Sequence, residues 1–299
     1  MSMVTSQINT FLFQVILLAA FCFACITFVL YMRERKSSEL VGTLLLHNIA
    51  CIQYCLLKTV YNFFAISSIM APSWISNESF TMNIVTNTVV SGAICSQQSI
   101  YLAGMLIAID RVILLAFPLF YKFHAVSKRL AQAGTVFCLV LFSTVLTFDC
   151  ILPLFGHTTF IFIVVDLVYY LEKIFNWLLC VEVVLHVIFC VFYWRFSKKQ
   201  SNLIKARRTR QVNHIVFCQL LSLTVFCATP QLVTLVDQTF FHSNVNDILR
   251  SGYVFTLFAI HVLITSAFTF LKLFKQPSAV NVASNPVGMM GGSRIVVSN

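Results

Sequence analysis

The sequence predicts an all-α membrane protein, a seven-transmembrane helix bundle with its N-terminus outside and its C-terminus in the cytoplasm. Three observations predict it. Charges are too few for a water-soluble surface, seven apolar runs are long enough to cross a bilayer, and basic residues are confined to alternate loops. Of 299 residues, 59% are hydrophobic and 10% are charged, and the mean hydropathy is +0.88. A soluble domain carries about 25% charged residues, so no second, soluble domain is expected. Residues 1–275 are expected to form the bundle and 276–299 a short disordered cytoplasmic tail, because that tail lacks helical periodicity.

Runs of about 20 apolar residues read as membrane-crossing helices. The first is Asn9–Met32. No basic residue precedes it, and Arg33, Glu34, Arg35 and Lys36 follow at once. A cleaved signal peptide has the reverse order and a shorter apolar core, so an uncleaved anchor is expected. The second run is Leu40–Ser67 and the third Asn83–Ile109. The fourth, Leu130–Phe155, and the fifth, Leu167–Trp194, are hard to separate because Thr158 to Tyr170 is apolar too; Pro153, Gly156 and His157 mark the turn. The sixth is Val212–Asp237 and the seventh Gly252–Leu271.

All but Lys58, Lys173 and Arg250 of the 20 lysines and arginines fall in the first, third and fifth of the six loops, at their borders, or in the tail. The positive-inside rule places those segments in the cytoplasm. An even number of spans would put the tail on the side its charges disfavour. The net charge of +10 therefore reflects membrane topology, and no nucleic-acid partner is expected. The eleven cysteines all lie in apolar runs and read as small apolar packers. One glycosylation sequon, Asn77-Glu78-Ser79, falls on the outside after the second span.

The third span closes on Asp110-Arg111, with Pro118 and Tyr121 following. An ordinary helix end, with Arg111 snorkelling to lipid phosphates, would explain the pair alone. The conjunction with seven spans and this topology points further. The segment resembles the D-R-Y motif that ends the third helix of rhodopsin-like G-protein-coupled receptors, with a proline eight residues after the aspartate. Cys227-Ala228-Thr229-Pro230 likewise resembles their sixth-helix C-W-x-P. Val112 stands for the tyrosine of the first motif and Ala228 for the tryptophan of the second. The seventh span has no N-P-x-x-Y, no cysteine marks the outer end of the third, and Ser201 to His214 contains no acid to pair with Arg111. With its phenylalanine-rich helices and short loops, this eroded pattern resembles the nematode serpentine chemoreceptors, and among them the class BC subgroup.

The resemblance implies a mechanism. A small molecule (an odorant, metabolite or pheromone) binds among the outer halves of the helices. The sixth helix then swings outward around Pro230, and Arg111, released from Asp110, contacts a heterotrimeric G-protein. Pro118 and Tyr121 belong to the same coupling segment. Arg207, Arg208 and Arg210 offer a surface to an acidic partner or to anionic lipid. Plasma membrane, with chemosensory cilia, is the implied location, and olfactory sensing the implied process.

Intramembrane ionisable and polar groups are costly and are candidates for ligand contact. These are Lys58, Gln97, Gln98, Asp149, Glu182, His186 and His261. Glu182 and His186 lie one turn apart and share a face. His47 and Asn48 read instead as packing residues of the second helix. In aminergic receptors an aspartate lies eighteen residues before the helix-three arginine; here Ala93 stands there, which argues against a biogenic amine. The only seventh-span lysine, Lys272, is at the cytoplasmic end, which argues against an opsin. A ligand-gated channel of the odorant-receptor type and a small transporter remain alternatives. The former runs with its N-terminus inside, and the latter calls for an internal repeat that the chain does not show. No enzyme activity, cofactor or metal is expected, because the histidines are scattered singly.

Overall fold

The computed structural model describes residues 3–34, 42–70, 80–151, 160–199, 204–236 and 254–274. Seven helices among them are long and apolar enough to cross a membrane. Lipid offers no hydrogen bonds, so a spanning chain must pair its backbone groups internally, and helices do so without neighbours. The spans are Met3–Glu34, Gly42–Met70, Phe80–Ala116, Val126–Leu146 with its continuation Thr147–Ile151, Phe160–Lys199, Ile204–Leu223 continued to Val236, and Val254–Phe274.

The third span is the axis of the bundle. It packs on the second, fourth, fifth and sixth, while the first closes the ring against the second and seventh. Its most apolar stretch is 56% buried, against 22% for the fourth and fifth. The outward faces carry large apolar side chains such as Phe11, Phe63, Val136 and Trp177, a surface suited to acyl chains. Inside, Leu17, Tyr54, Ile100, Leu179 and Phe258 form the main core, and a second cluster around Ile107, Phe189 and Ile215 lies nearer the basic end.

Several helices run past their expected ends. The third continues to Ala116, so Asp110 and Arg111 stand inside it rather than at its terminus. The fifth starts at Phe160 and the sixth at Ile204, eight residues before the expected Val212. Hydropathy marks where the bilayer ends, whereas lysine and arginine are good helix formers and let a helix continue into water. The turn expected at Pro153, Gly156 and His157, the Asn77 sequon and the tail 276–299 lie outside the described residues.

Two spans widen into a π-helical turn. In the sixth it covers Thr224–Ala228 and has a clear cause. Pro230 has no N–H to give and its ring crowds the carbonyl four residues back. The Thr229 N–H reaches back five residues to the Thr224 carbonyl, and the Thr229 hydroxyl donates to the same oxygen at 2.7 Å. In the fourth span the turn covers Thr147–Ile151 and presents Asp149 inward.

A short helix, Pro118–His124, joins the third and fourth spans. Pro118 opens it, where a missing N–H costs nothing. Ala125 then takes a left-handed conformation, φ 47° and ψ 46°, and the fourth span begins at Val126.

Candidate functional site

Two polar sites lie on the axis of the bundle. The first is at its basic end, where Arg33, Arg129, Arg195 and Lys272 lie near the ends of the first, fourth, fifth and seventh spans. Arg111 Nη2 donates to Asp110 Oδ2 at 2.9 Å, and both side chains are almost fully buried. The hydroxyl of Thr43, in the first turn of the second span, donates to the same oxygen at 3.4 Å. Two neighbours bearing on one carboxylate hold it in place, and the carboxylate holds the guanidinium; charge assistance strengthens the contact.

Tyr121 completes this site. The break at Phe117 turns the short helix off the third span and the left-handed corner at Ala125 leads it into the fourth, with the phenol facing Asp110 and Ser127. Burial and then the Asp110 carboxylate push that phenol up to about 12, with Arg111 acting in the opposite direction. It therefore stays neutral, able to donate toward the carboxylate. Asp110, Arg111 and Tyr121 are brought together as a unit, with Pro118 as the residue that opens the short helix. Arg207, Arg208 and Arg210 stand in the first turns of the sixth span; their side chains lie outside the described residues. No acid follows at that point, and the nearest buried polar group is Asn213, whose amide atoms have no protein partner.

The second site is an enclosed polar cavity deeper in the bundle. Five spans line it: His47 from the second, Tyr101 and Gly104 from the third, Glu182 and His186 from the fifth, Gln219 from the sixth and His261 from the seventh. Its free space is about 10 Å³, room for about one water and far below the several hundred Å³ of an organic-ligand pocket. Gly104 creates the space for Glu182, since a Cβ at that position would fall on the Glu182 carboxyl. His186 Nδ1 bonds the Glu182 backbone carbonyl at 2.8 Å. His261 Nδ1 meets the Ser222 hydroxyl at 2.9 Å, and that hydroxyl also reaches the Gln219 carbonyl at 3.0 Å. Tyr101, a lining residue, and Tyr54 meet Phe258 edge-on, with ring centroids 5.4 and 4.9 Å away.

Of the seven ligand candidates, Glu182, His186 and His261 converge here. Gln97 stands one turn behind, with its amide 3.4 Å from the Tyr101 hydroxyl. Gln98 is buried, and its carbonyl oxygen has no protein partner. Asp149 is buried beside Ser91 and Cys95 of the third span. Lys58 is half-buried toward the opposite end, its ammonium 4.0 Å from the Phe255 ring centroid and 4.8 Å from that of Tyr61. Nearby, Asn62 bonds Gln14 and Thr256 bonds Asn9, tying the first span to the second and seventh.

His47, read from sequence as a packing residue, is instead a wall of the cavity; its neighbour Asn48 does pack, donating to the Ala24 carbonyl at 3.0 Å. Gln219 and Gly104 carried no sequence signal of their own. Among the described residues, no three His, Cys, Asp or Glu side chains converge as a metal-binding set. No model of a known protein family matches the chain, and no curated protein matches it.

Proposed function

We propose that this seven-span membrane protein is a chemoreceptor that couples to a heterotrimeric G-protein, related to the nematode serpentine receptors that its motifs resemble. The observation that carries the proposal is the buried Asp110–Arg111 pair, held between Thr43 and Tyr121 at the basic end. A guanidinium and a carboxylate buried together in an apolar bundle are expensive for stability alone. Their presence on the span that also packs against the sixth is what a releasable contact requires. The arrangement is the resting state: Arg111 is 2% exposed and unavailable to a partner.

Activation separates the pair. A small molecule enters from the end of the bundle that carries Lys58, with the N-terminus on that side and the C-terminus in the cytoplasm. Lys58 and Gln97 receive it, Gln98 and Asp149 flank the entrance, and the Glu182–His186–His261 layer beneath Tyr101 is the floor. The sixth span is the moving part. Its π-turn at Thr224–Ala228 already has a loosened backbone ladder, the weak point about which the segment before Pro230 can pivot. The ligand shifts the population toward the state in which that segment stands away from Arg111. Arg207, Arg208 and Arg210 then meet the G-protein or the lipid surface beside it.

The test is G-protein recruitment in cells expressing the chain, challenged with pooled volatile organics and secreted metabolites, with Arg111→Ala alongside. The proposal expects a response in the wild type that Arg111→Ala abolishes while surface expression persists. A cation current evoked by the same pools, undiminished in Arg111→Ala and without recruitment, would instead make the chain a ligand-gated channel.

A further inference from the structure

The deep cavity leaves four side-chain atoms without a protein partner: Glu182 Oε2, His186 Nε2, and both amide atoms of Gln219. All three side chains are more than nine-tenths buried. The space suits one water, and a buried water makes two to four hydrogen bonds, the number these atoms need.

The protonation pattern follows from the bonds already made. The Glu182 backbone carbonyl can only accept, so His186 Nδ1 carries the hydrogen in their 2.8 Å contact. In a neutral imidazole Nε2 is then an acceptor, and it lines the cavity. Among the described residues Glu182 has no cationic partner, and the only ion pair is Asp110–Arg111. A bare carboxylate so deep in the bundle is strongly disfavoured. Either Glu182 keeps its proton and donates it toward Nε2 through the water, or Nε2 holds the proton and the two groups form an ion pair. Each arrangement contains one proton more than the bare carboxylate and neutral imidazole.

We propose that this cavity is a binding site for one water and one exchangeable proton shared between Glu182 and His186. In the transfer the Glu182 O–H bond breaks and the water takes that proton. The water gives one of its own to His186 Nε2, leaving a carboxylate and an imidazolium. Gln219 offers a donor and an acceptor, so it satisfies the water in either orientation. The other titratable groups around the pair are His47 of the second span, Tyr101 of the third, Cys227 of the sixth and His261 of the seventh. His47 and His261 already spend Nδ1, on Cys51 Sγ at 3.6 Å and on Ser222. Asp149 of the fourth span faces Ser91 and Cys95 instead. Gly104 stands six residues before Asp110 on the same helix, so the levels of the two sites differ by about 9 Å along the helix axis. The cavity and the contact that must open thus share the third span.

The test is infrared difference spectroscopy of the full chain in lipid nanodiscs, titrated with acid and base in H₂O and D₂O. The expected result is a protonated-carboxyl C=O band that shifts on deuteration, is lost in Glu182→Gln, and titrates at a different pH in His186→Gln. Should neither variant fold, ¹³C-glutamate labelling of the wild type must move the band. The proposal is overturned if no protonated-carboxyl band of glutamate persists at neutral pH, where ordinary carboxyls are ionised, or if His186→Gln leaves its titration unchanged. Neither a ligand nor a G-protein enters this readout, so it stands or falls apart from the receptor proposal.

Discussion

Gly104 and Glu182 face each other across the third and fifth spans, and the side chain that Gly104 lacks is the space that the Glu182 carboxyl occupies. Small residues let membrane helices approach; here the approach also admits a carboxyl group. Substituting Gly104→Ala should force Glu182 off its position and lower thermal stability in detergent by about 1–3 kcal/mol, the usual cost of overpacking. In a Glu182→Ala background the same change should cost much less. Equal costs in the two backgrounds would show that the Gly104 position does not depend on Glu182.

Ala125 is the only described non-glycine residue with positive φ. For an L-residue this conformation costs about 1–2 kcal/mol, partly offset on substitution because glycine is freer in the unfolded chain. Ala125→Gly should therefore stabilise the protein by about 0.5–1 kcal/mol, and Ala125→Val should destabilise it. Melting curves of the two variants in one detergent decide this; a Val variant as stable as wild type would contradict the backbone assignment.

Tyr121 has a phenol raised from 10.0 to about 12. A raised group contributes stability that is fully present below its unfolded value and lost as pH rises through its folded value. The wild type should accordingly lose stability between pH 10 and 12, where unfolded tyrosine ionises before the buried phenol does. Tyr121→Phe should flatten that part of a melting-temperature profile, and an unaltered slope would remove Tyr121 from its contact with Asp110.

Lys58 lies against Phe255 and Tyr61, and among the described residues no carboxylate pairs with it. Under the receptor proposal, Lys58→Met should change which compounds evoke a response and leave the maximal coupling to G-protein unchanged. Identical dose–response curves across a set of active compounds would take Lys58 out of the binding site.

Much of the bundle was legible in the sequence because keeping charge out of lipid is a strong and simple constraint. It marks Ile84–Ala116 or Val254–Lys272 as spans without any knowledge of their neighbours. The ends of helices were less legible, since Lys205 to Arg210 satisfy a helix as well as a loop. The π-turn before Pro230 follows from a missing N–H, but that at Thr147–Ile151 has no such marker within it. In the cavity, the pairing of Glu182 with His186 is written in a four-residue spacing. That His47, Gln219 and His261 meet them depends on how three other spans rotate, which no local pattern records. Lys58 was grouped with these residues on chemistry alone. It stands eleven residues from His47 on one helix, about 16 Å away, so it belongs to another layer.

Under the receptor proposal, Asp110 restrains Arg111, and Arg111 once released engages a G-protein. The most direct measurement needs no ligand: basal G-protein recruitment by Asp110→Asn, compared at equal surface expression with wild type and with the Asp110→Asn, Arg111→Ala double variant. A several-fold rise is expected in Asp110→Asn, and the second substitution should abolish it. Basal recruitment unchanged in Asp110→Asn, or a rise that persists without Arg111, would contradict that proposal.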